Sequence, residues 1–533
     1  VLRRVSVANR QVQAQDGRYD PVVSANGRVI AFESDAINLV PGDTNDVRDI
    51  FARILDTALT VRVSVGAGGA QANGESRNAS VDALGRFIAF ESDATNLVPG
   101  DDNDVTDIFL VDLLLNTIER VSLGNDGGQS DGVSRQPCVS GNGRFVAFSS
   151  EASNLVEGDL NGRADIFVRD LLLDKTVRVN LSGDGAEAAL GDSYRPSLSS
   201  SGRYVAFHSD ATNLVLDDTN GVSDIFVHDR DVDENSVFDE GNGPTVRVSV
   251  HTDGTAGTLD SANASISGNG SRIAFESRAP NLVDGDQNGE SDVFIHDRTS
   301  GETTRVSVAT GGAEADFASF SASLSRDGLV VGFESLASNL ALGVPFGQRA
   351  VYLHTIDVAV TQHIGVNENG EASNSDTLTV RLSSDGRYAV FASAASNLVG
   401  SDTNNQRDIF LRDRIELTFN GTGRPGDLSN FEVENAIGDT GNILLVLVSC
   451  TGNAGFPLPN GRIVPLTFDH CTTFGLEVST LLSGIVDGSG HAATTVVPFP
   501  PLAAGQTLRA CAVTIGTGGF RSITAPIAIP VIN

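Results

Sequence analysis

Gly42-Asp43-Thr44-Asn45-Asp46-Val47-Arg48-Asp49-Ile50-Phe51 is the stretch on which the reading of this chain turns. It is an Asp-x-Asn-x-x-x-Asp loop that runs straight into a short apolar strand. The pattern returns at Asp101/Asn103/Asp107, Asp159/Asn161/Asp165, Asp218/Asn220/Asp224, Asp286/Asn288/Asp292 and Asp402/Asn404/Asp408. Its last position recurs at 49, 107, 165, 224, 292, 350 and 408. The steps are 58 or 59 residues, except one of 68 that contains Asp231 to Pro244, an acidic insertion that reads as a surface loop. Such a period marks one supersecondary unit of about four strands, present seven times.

Four strands can be read in each unit. The first is short and apolar, as in Pro21-Val22-Val23-Ser24 or Pro196-Ser197-Leu198-Ser199. A turn follows, such as Asn26-Gly27-Arg28 or Asp385-Gly386-Arg387, where Asn-Gly and Asp-Gly supply the positive φ of a tight hairpin. The second strand is Val29 to Ser34, with copies at Phe87, Phe145 and Tyr204. Its near-continuous apolar character predicts cover on both faces. The third strand opens with the last Asp of the motif, and the fourth is Val61-Arg62-Val63-Ser64-Val65, with copies at Arg120, Arg178, Arg247 and Arg305.

The ends of the array predict how it closes. Arg4-Val5-Ser6-Val7 is a fourth strand with no first three before it, while the seventh unit stops after its third strand, at Asp408-Ile409-Phe410-Leu411. Arg4 precedes Gly27 by 23 residues, as Arg62 precedes Gly85 and Arg120 precedes Gly143. The N-terminal strand therefore belongs in the last blade, and a closed ring leaves no free sheet edge. Pieces such as Ser199-Ser200-Ser201-Gly202-Arg203-Tyr204-Val205-Ala206-Phe207, followed by Asp224-Ile225-Phe226-Val227-His228-Asp229, resemble the repeats of TolB-like (WD40-like, PD40) β-propellers. The resemblance covers roughly residues 1–418 and implies an all-β, seven-bladed propeller. It departs from the family in its mostly Asn-Gly turns and in the added acidic loop. After Thr418 the period stops, and residues 419–533 read as a small β-sandwich resembling domains appended to secreted bacterial repeat proteins.

The motif loops carry the candidate chemistry. Three oxygen side chains at fixed spacing suit a hard cation that takes six to eight oxygens at about 2.3–2.6 Å. Asp43, Asn45, Asp49 and their five counterparts are therefore expected to hold about six calcium ions, one per blade except the sixth. In that blade the same slots read Val344, Phe346 and Ala350, so all three ligands vanish together. The alternative is that these Asp and Asn side chains only cap turns. An oxygen-only set disfavours zinc or copper.

The totals narrow the function. A net charge of −32 argues against nucleic acid, which needs a basic surface. No apolar run reaches the ~18 residues of a membrane span. The chain contains no Met and begins Val1-Leu2-Arg3-Arg4, which reads as a mature form after loss of a leader. Cys450, Cys471 and Cys511 fall in the last quarter and allow one bridge of undetermined pairing, while Cys138 reads as a buried small residue. No His-Glu-x-x-His, phosphate-binding Gly-Lys-Ser/Thr loop, Cys-x-x-Cys or Gly-x-Ser-x-Gly elbow is present, and the eight histidines show no common repeat position. The expectation is a secreted, non-enzymatic, calcium-binding structural or interaction protein. Its partners would be copies of itself, in a filament or surface layer, or extracellular protein or polysaccharide. A carbohydrate- or peptide-binding receptor is the first alternative, and a hydrolase or lyase the second.

Overall fold

The structure is a computed structural model that describes residues 1–414, apart from positions 10, 16–19, 242, 342, 401 and 405, and beyond them only backbone segments of strand. The expected sandwich at 419–533 and the cysteine bridge lie outside the described residues. Residues 2–367 with 372–412 form one compact unit, the one described below.

That unit is a seven-bladed propeller. Blade 1 pairs Val22–Val23, Val29–Ser34, Asp49–Ile54 and Leu59–Arg62 in that order, all antiparallel. Blades 2 to 6 repeat the same order. Blade 7 consists of Thr377–Leu382, Tyr388–Ser393, Asp408–Asp413 and the N-terminal Leu2–Arg4. Leu2 lies opposite Arg412 and Arg4 opposite Phe410, so the ring closes through the strand that the 23-residue spacing assigned to it.

Packing follows the pattern of the sequence. Val29 to Ser34 are buried without exception, because the second strand is covered by both neighbouring blades. Within a blade, the Phe of the second strand stacks on that of the third, for example Phe32 on Phe51 with ring centroids 6.0 Å apart. The turn glycines are needed twice over. Gly143 has φ of 72°, and a Cβ there would lie 2.4 Å from the Phe87 ring of the preceding blade. The 231–244 insertion is more than a surface loop, since it tucks Phe238 against Phe145 of blade 3 at 4.7 Å, with Arg230 stacked over both rings.

Inter-blade bonds lie in three layers along the axis, of which the first closes a full circle. At the turn face, backbone N–H groups of one blade bond carbonyls of the next in an unbroken cycle. It runs Asn26 to Ala83, Ala83 to Gly141, Asn142 to Ser200, Ser200 to Gly268, Gly268 to Arg326, Asp327 to Ser384 and Ser384 to Ala25, over 2.7–3.2 Å. One layer deeper, Ser80, Ser197 and Ser265 accept the N–H of Val139, Ile266 and Leu324. Cys138 occupies the same slot, accepts from Leu198 at 3.3 Å and packs, partly buried, against the apolar cluster of Phe145, Leu198 and Val205. Deeper again, the inner strands of blades 2 to 7 are each bulged at a residue with positive φ, such as Asn78 or Thr379. The bulge N–H is taken by a glutamate of the preceding blade: Glu33 to Asn78, Glu91 to Gln136, Glu276 to Ser321 and Glu334 to Thr379, at 2.6–2.8 Å. These glutamates end their strands as inter-blade acceptors.

Candidate functional site

The second-to-third loops and the inter-blade loops share one face, and there the structure brings each predicted trio together. In blade 1, the end of the loop delivers Asp49 to the start of the third strand, where it is fully buried. Asp43 comes back to meet it, and Asn45 lies between. The residue that completes the set is Arg62, the last residue of the fourth strand. Its Nη1 lies 3.0 Å from Asp43 Oδ1, 3.1 Å from Asp49 Oδ2 and 2.9 Å from Gln71 Oε1. Ser64 donates to Asp49 Oδ1 at 2.5 Å, and its own Oγ accepts the Ile50 N–H.

The arrangement recurs with little change. Arg120 bridges Asp101 and Asp107 at 2.9 and 3.2 Å. Arg178 bridges Asp159 and Asp165 at 3.0 and 3.2 Å, and Arg247 bridges Asp218 and Asp224 at 3.3 and 3.1 Å. Arg305 reaches Asp286 and Asp292, both at 3.3 Å, and also Glu314. In blade 7 the N-terminal Arg4 bridges Asp402 and Asp408 at 3.3 and 3.2 Å, with Ser6 on Asp408. All six guanidinium-bearing side chains are about nine-tenths buried.

An arginine stands between the carboxylates that were expected to hold calcium. The space between the two carboxylates is taken by a guanidinium nitrogen, which meets one of their two negative charges. Each motif Asn turns its amide nitrogen to the carboxylate: Asn45 Nδ2 donates to Asp49 Oδ2 and to Ala72 O, both at 3.0 Å. Both partners only accept, which fixes the amide orientation, and Asn45 Oδ1 is left buried without a hydrogen-bond partner. The same double bond is made by Asn103, Asn161, Asn220, Asn288 and Asn404.

Blade 6 shows what travels with the trio. Besides Val344, Phe346 and Ala350, the arginine slot holds His363 and the serine slot Gly365. A bound ion would explain the loss of its ligands but not of a buried cation beside them. Gln348 replaces the asparagine by donating to Ser373 O at 2.8 Å, the counterpart of Ala72 O. The recurring loop Asn at 38, 96, 154, 213, 281, 339 and 397 is present in all seven blades and ties loop to loop. Asn96, for example, donates to Gln71 O and accepts the Asn73 N–H.

Electrostatics vary among the locks. Burial pushes the Asp159 carboxyl up to about 6 against the pull of Arg178, and burial with Asp292 close by does the same to Asp286. In blade 5, carboxylate oxygens of Asp286, Asp292 and Glu314 all lie within 4.8 Å of one another. Glu33, in the bulge ring, is raised to about 7 by burial.

The histidines require a correction. His228, His296 and His354 do share a repeat position, the fifth of the third strand, also held by Arg53 and Arg169. Their Nδ1 atoms lie 2.9–3.0 Å from Thr245, Thr303 and Thr361. Each threonine hydroxyl is spent on a carbonyl of the preceding blade, so the neutral imidazole donates to it. Each stands four residues past the last motif position, at 224, 292 and 350, so the shared slot was legible in the sequence.

No family model and no curated protein matches the chain. Among solved structures, it is similar to the putative TolB from Agrobacterium tumefaciens at 15% identity, over 66% of this chain and 93% of that one, with a TM-score of 0.35. It is similar to a prolyl endopeptidase at 10% identity, over 85% of this chain and 57% of that one, with a TM-score of 0.45. The WD40 repeats of RRP9 match at 9% identity, over 78% and 99%, with a TM-score of 0.36. The chain's own strand pairing, seven four-stranded blades closed by the N-terminal strand, makes it a seven-bladed β-propeller.

Proposed function

We propose that this protein is a non-enzymatic interaction scaffold whose loop face is held rigid by six arginine-closed locks and takes a basic partner surface. The observation that carries the reading is that in all six locks an arginine of the fourth strand bridges the two motif carboxylates. Outside the locks, the same loops leave Asp46, Asp102, Asp104, Glu157, Asp217 and Asp284 exposed. On a chain of net charge −32, that face attracts cationic surfaces and repels copies of itself unless a counter-charge intervenes. The extracellular assignment leaned on calcium, and the proposal stands without it.

The test is binding of a lysine-rich peptide and a glutamate-rich peptide to the full chain at rising salt. Saturable binding of the first, weakened by salt and by neutralising Asp46, Asp102 and Asp104 together, is the expected result. Equal binding of both peptides, or turnover of a hydrolase substrate lost on changing one acidic residue in a folded variant, would sink the reading.

Calcium enters as a second reading in blade 5 alone, where Glu314 adds a third carboxylate to one arginine. Chelation is expected to leave the melting temperature of the ring unchanged. Any calcium-dependent rise should disappear in Glu314→Gln.

A further inference from the structure

The arginines of this chain are outnumbered by acids, with 36 basic against 68 acidic residues. Most described ones are ion-paired, but Arg326 in the blade 6 turn and Arg195 and Arg381 on inner strands are not. Arg326 is the single long residue of the collar at the turn face, whose other six members are Ala25, Ala83, Gly141, Ser200, Gly268 and Ser384. Seven backbones at about 4.8 Å spacing enclose a ring roughly 11 Å across. Arg326 reaches from blade 6 across this opening to Ser200 Oγ of blade 4 at 3.2 Å, and a Cβ on Gly141 of blade 3 would lie 3.0 Å from its Nη1. Its guanidinium therefore floors the channel.

One layer deeper, Arg381 holds the slot that is Ser or Cys in blades 2 to 6, and its one recorded bond is from Nη1 to Val380 O at 3.0 Å. Arg195, exposed on the bulge ring, stands on blade 4, across from blade 7. Burial depresses the Arg381 pKa against the pull of Asp20 and Glu334, and the charge of Arg195 adds to the depression. Among the described residues no carboxylate comes within ion-pair distance of any of the three. The nearest acids are engaged elsewhere: Asp20 accepts Thr379 Oγ1, Glu334 accepts Thr379 N–H beside Arg349, and Asp82 accepts Arg86 and Phe87 N–H.

We propose that the axial channel is a cationic well, floored by Arg326 and walled by Arg381 and Arg195, that binds a small multiply charged oxyanion bearing phosphate or carboxylate groups. Like charges confined in a low-dielectric space and left without counter-ions are stabilised by an anion that accepts from several guanidinium N–H groups at once.

The experiment is calorimetric titration of the full chain with inorganic phosphate and, separately, citrate. Saturable binding is expected, weakened at least about tenfold in Arg381→Gln and in Arg195→Gln. Arg28→Gln, a surface arginine paired with Asp56, should bind like the parent. Arg195 is exposed, so its variant should fold even if Arg326→Met or Arg381→Gln does not. Binding of one anion and not the other identifies the oxyanion class. No saturable heat with either anion up to about 10 mM, or equal affinity in the parent and in Arg195→Gln, overturns the proposal.

Discussion

Blades 5 and 6 are neighbours with the same strand order, and they pin the same loop by opposite means. Blade 5 uses two buried carboxylates, an asparagine, a serine and Arg305. Blade 6 buries Val344 and Ala350 in an apolar cluster with Ala337 and Leu340, stacks Tyr352 on Phe333 at 5.6 Å and sets Phe346 edge-on to Phe317 at 5.4 Å. The exchange is all or nothing: five positions change together and Gln348 recovers the lost carbonyl bond. A buried ion pair and a packed apolar plug are of comparable worth when each is complete, whereas half of either is costly. The conserved quantity is the join between the loop and the fourth strand.

The comparison breaks most clearly if one lock is left half-made. Arg120→Met strands two buried carboxylates and is expected to cost about 3–5 kcal/mol, read as lost hydrogen-exchange protection of Asp107–Asp112. Protection equal to the parent's would show that the arginine holds nothing. A smaller effect should follow from rebuilding blade 2 on the pattern of blade 6, with Asp101→Val, Asp107→Ala, Arg120→His and Ser122→Gly together. Removing both signs of charge at once should cost no more than about 2 kcal/mol. If the fourfold variant is as damaged as Arg120→Met, the equivalence of the two joins is wrong.

The smallest effect is one of pH. His363 fills the arginine slot with neither ring nitrogen bonded, and burial lowers its pKa to about 4. The unfolded chain takes up a proton near pH 6.5 that the folded chain refuses, so this residue subtracts stability as pH falls from about 6.5 toward 4. His363→Phe should gain on the parent by on the order of 1–2 kcal/mol at pH 5, and by little at pH 8. A pH-independent difference in denaturation midpoint would mean that the ring is solvated in the folded state.

The strand plan, the seven units and the closure were legible because they rest on local periodicity and on one count of 23 residues. The candidate ligands were legible as a set, but their chemistry was not. The arginine stands 13 residues past the last Asp in four blades, 23 in blade 4 because of the insertion, and at the other end of the chain in blade 7. The missing signal was that blade 6 loses its arginine with its acids. The orientation of the Asn45 amide depends on a carbonyl 27 residues away, which residue type does not reveal. The collar is made of backbone bonds, which leave no residue signature except the one oversized member, Arg326.

Arg4 and Asp408, 404 positions apart, share one lock. During synthesis, at about 5–20 residues per second, the N-terminal strand therefore waits roughly 20–80 s before its partner strand exists. Until then its exposed backbone is open to adoption by the unfinished wheel of a neighbouring nascent chain. The last join made is thus also the step at which crowded ribosomes would produce exchanged, interlinked products.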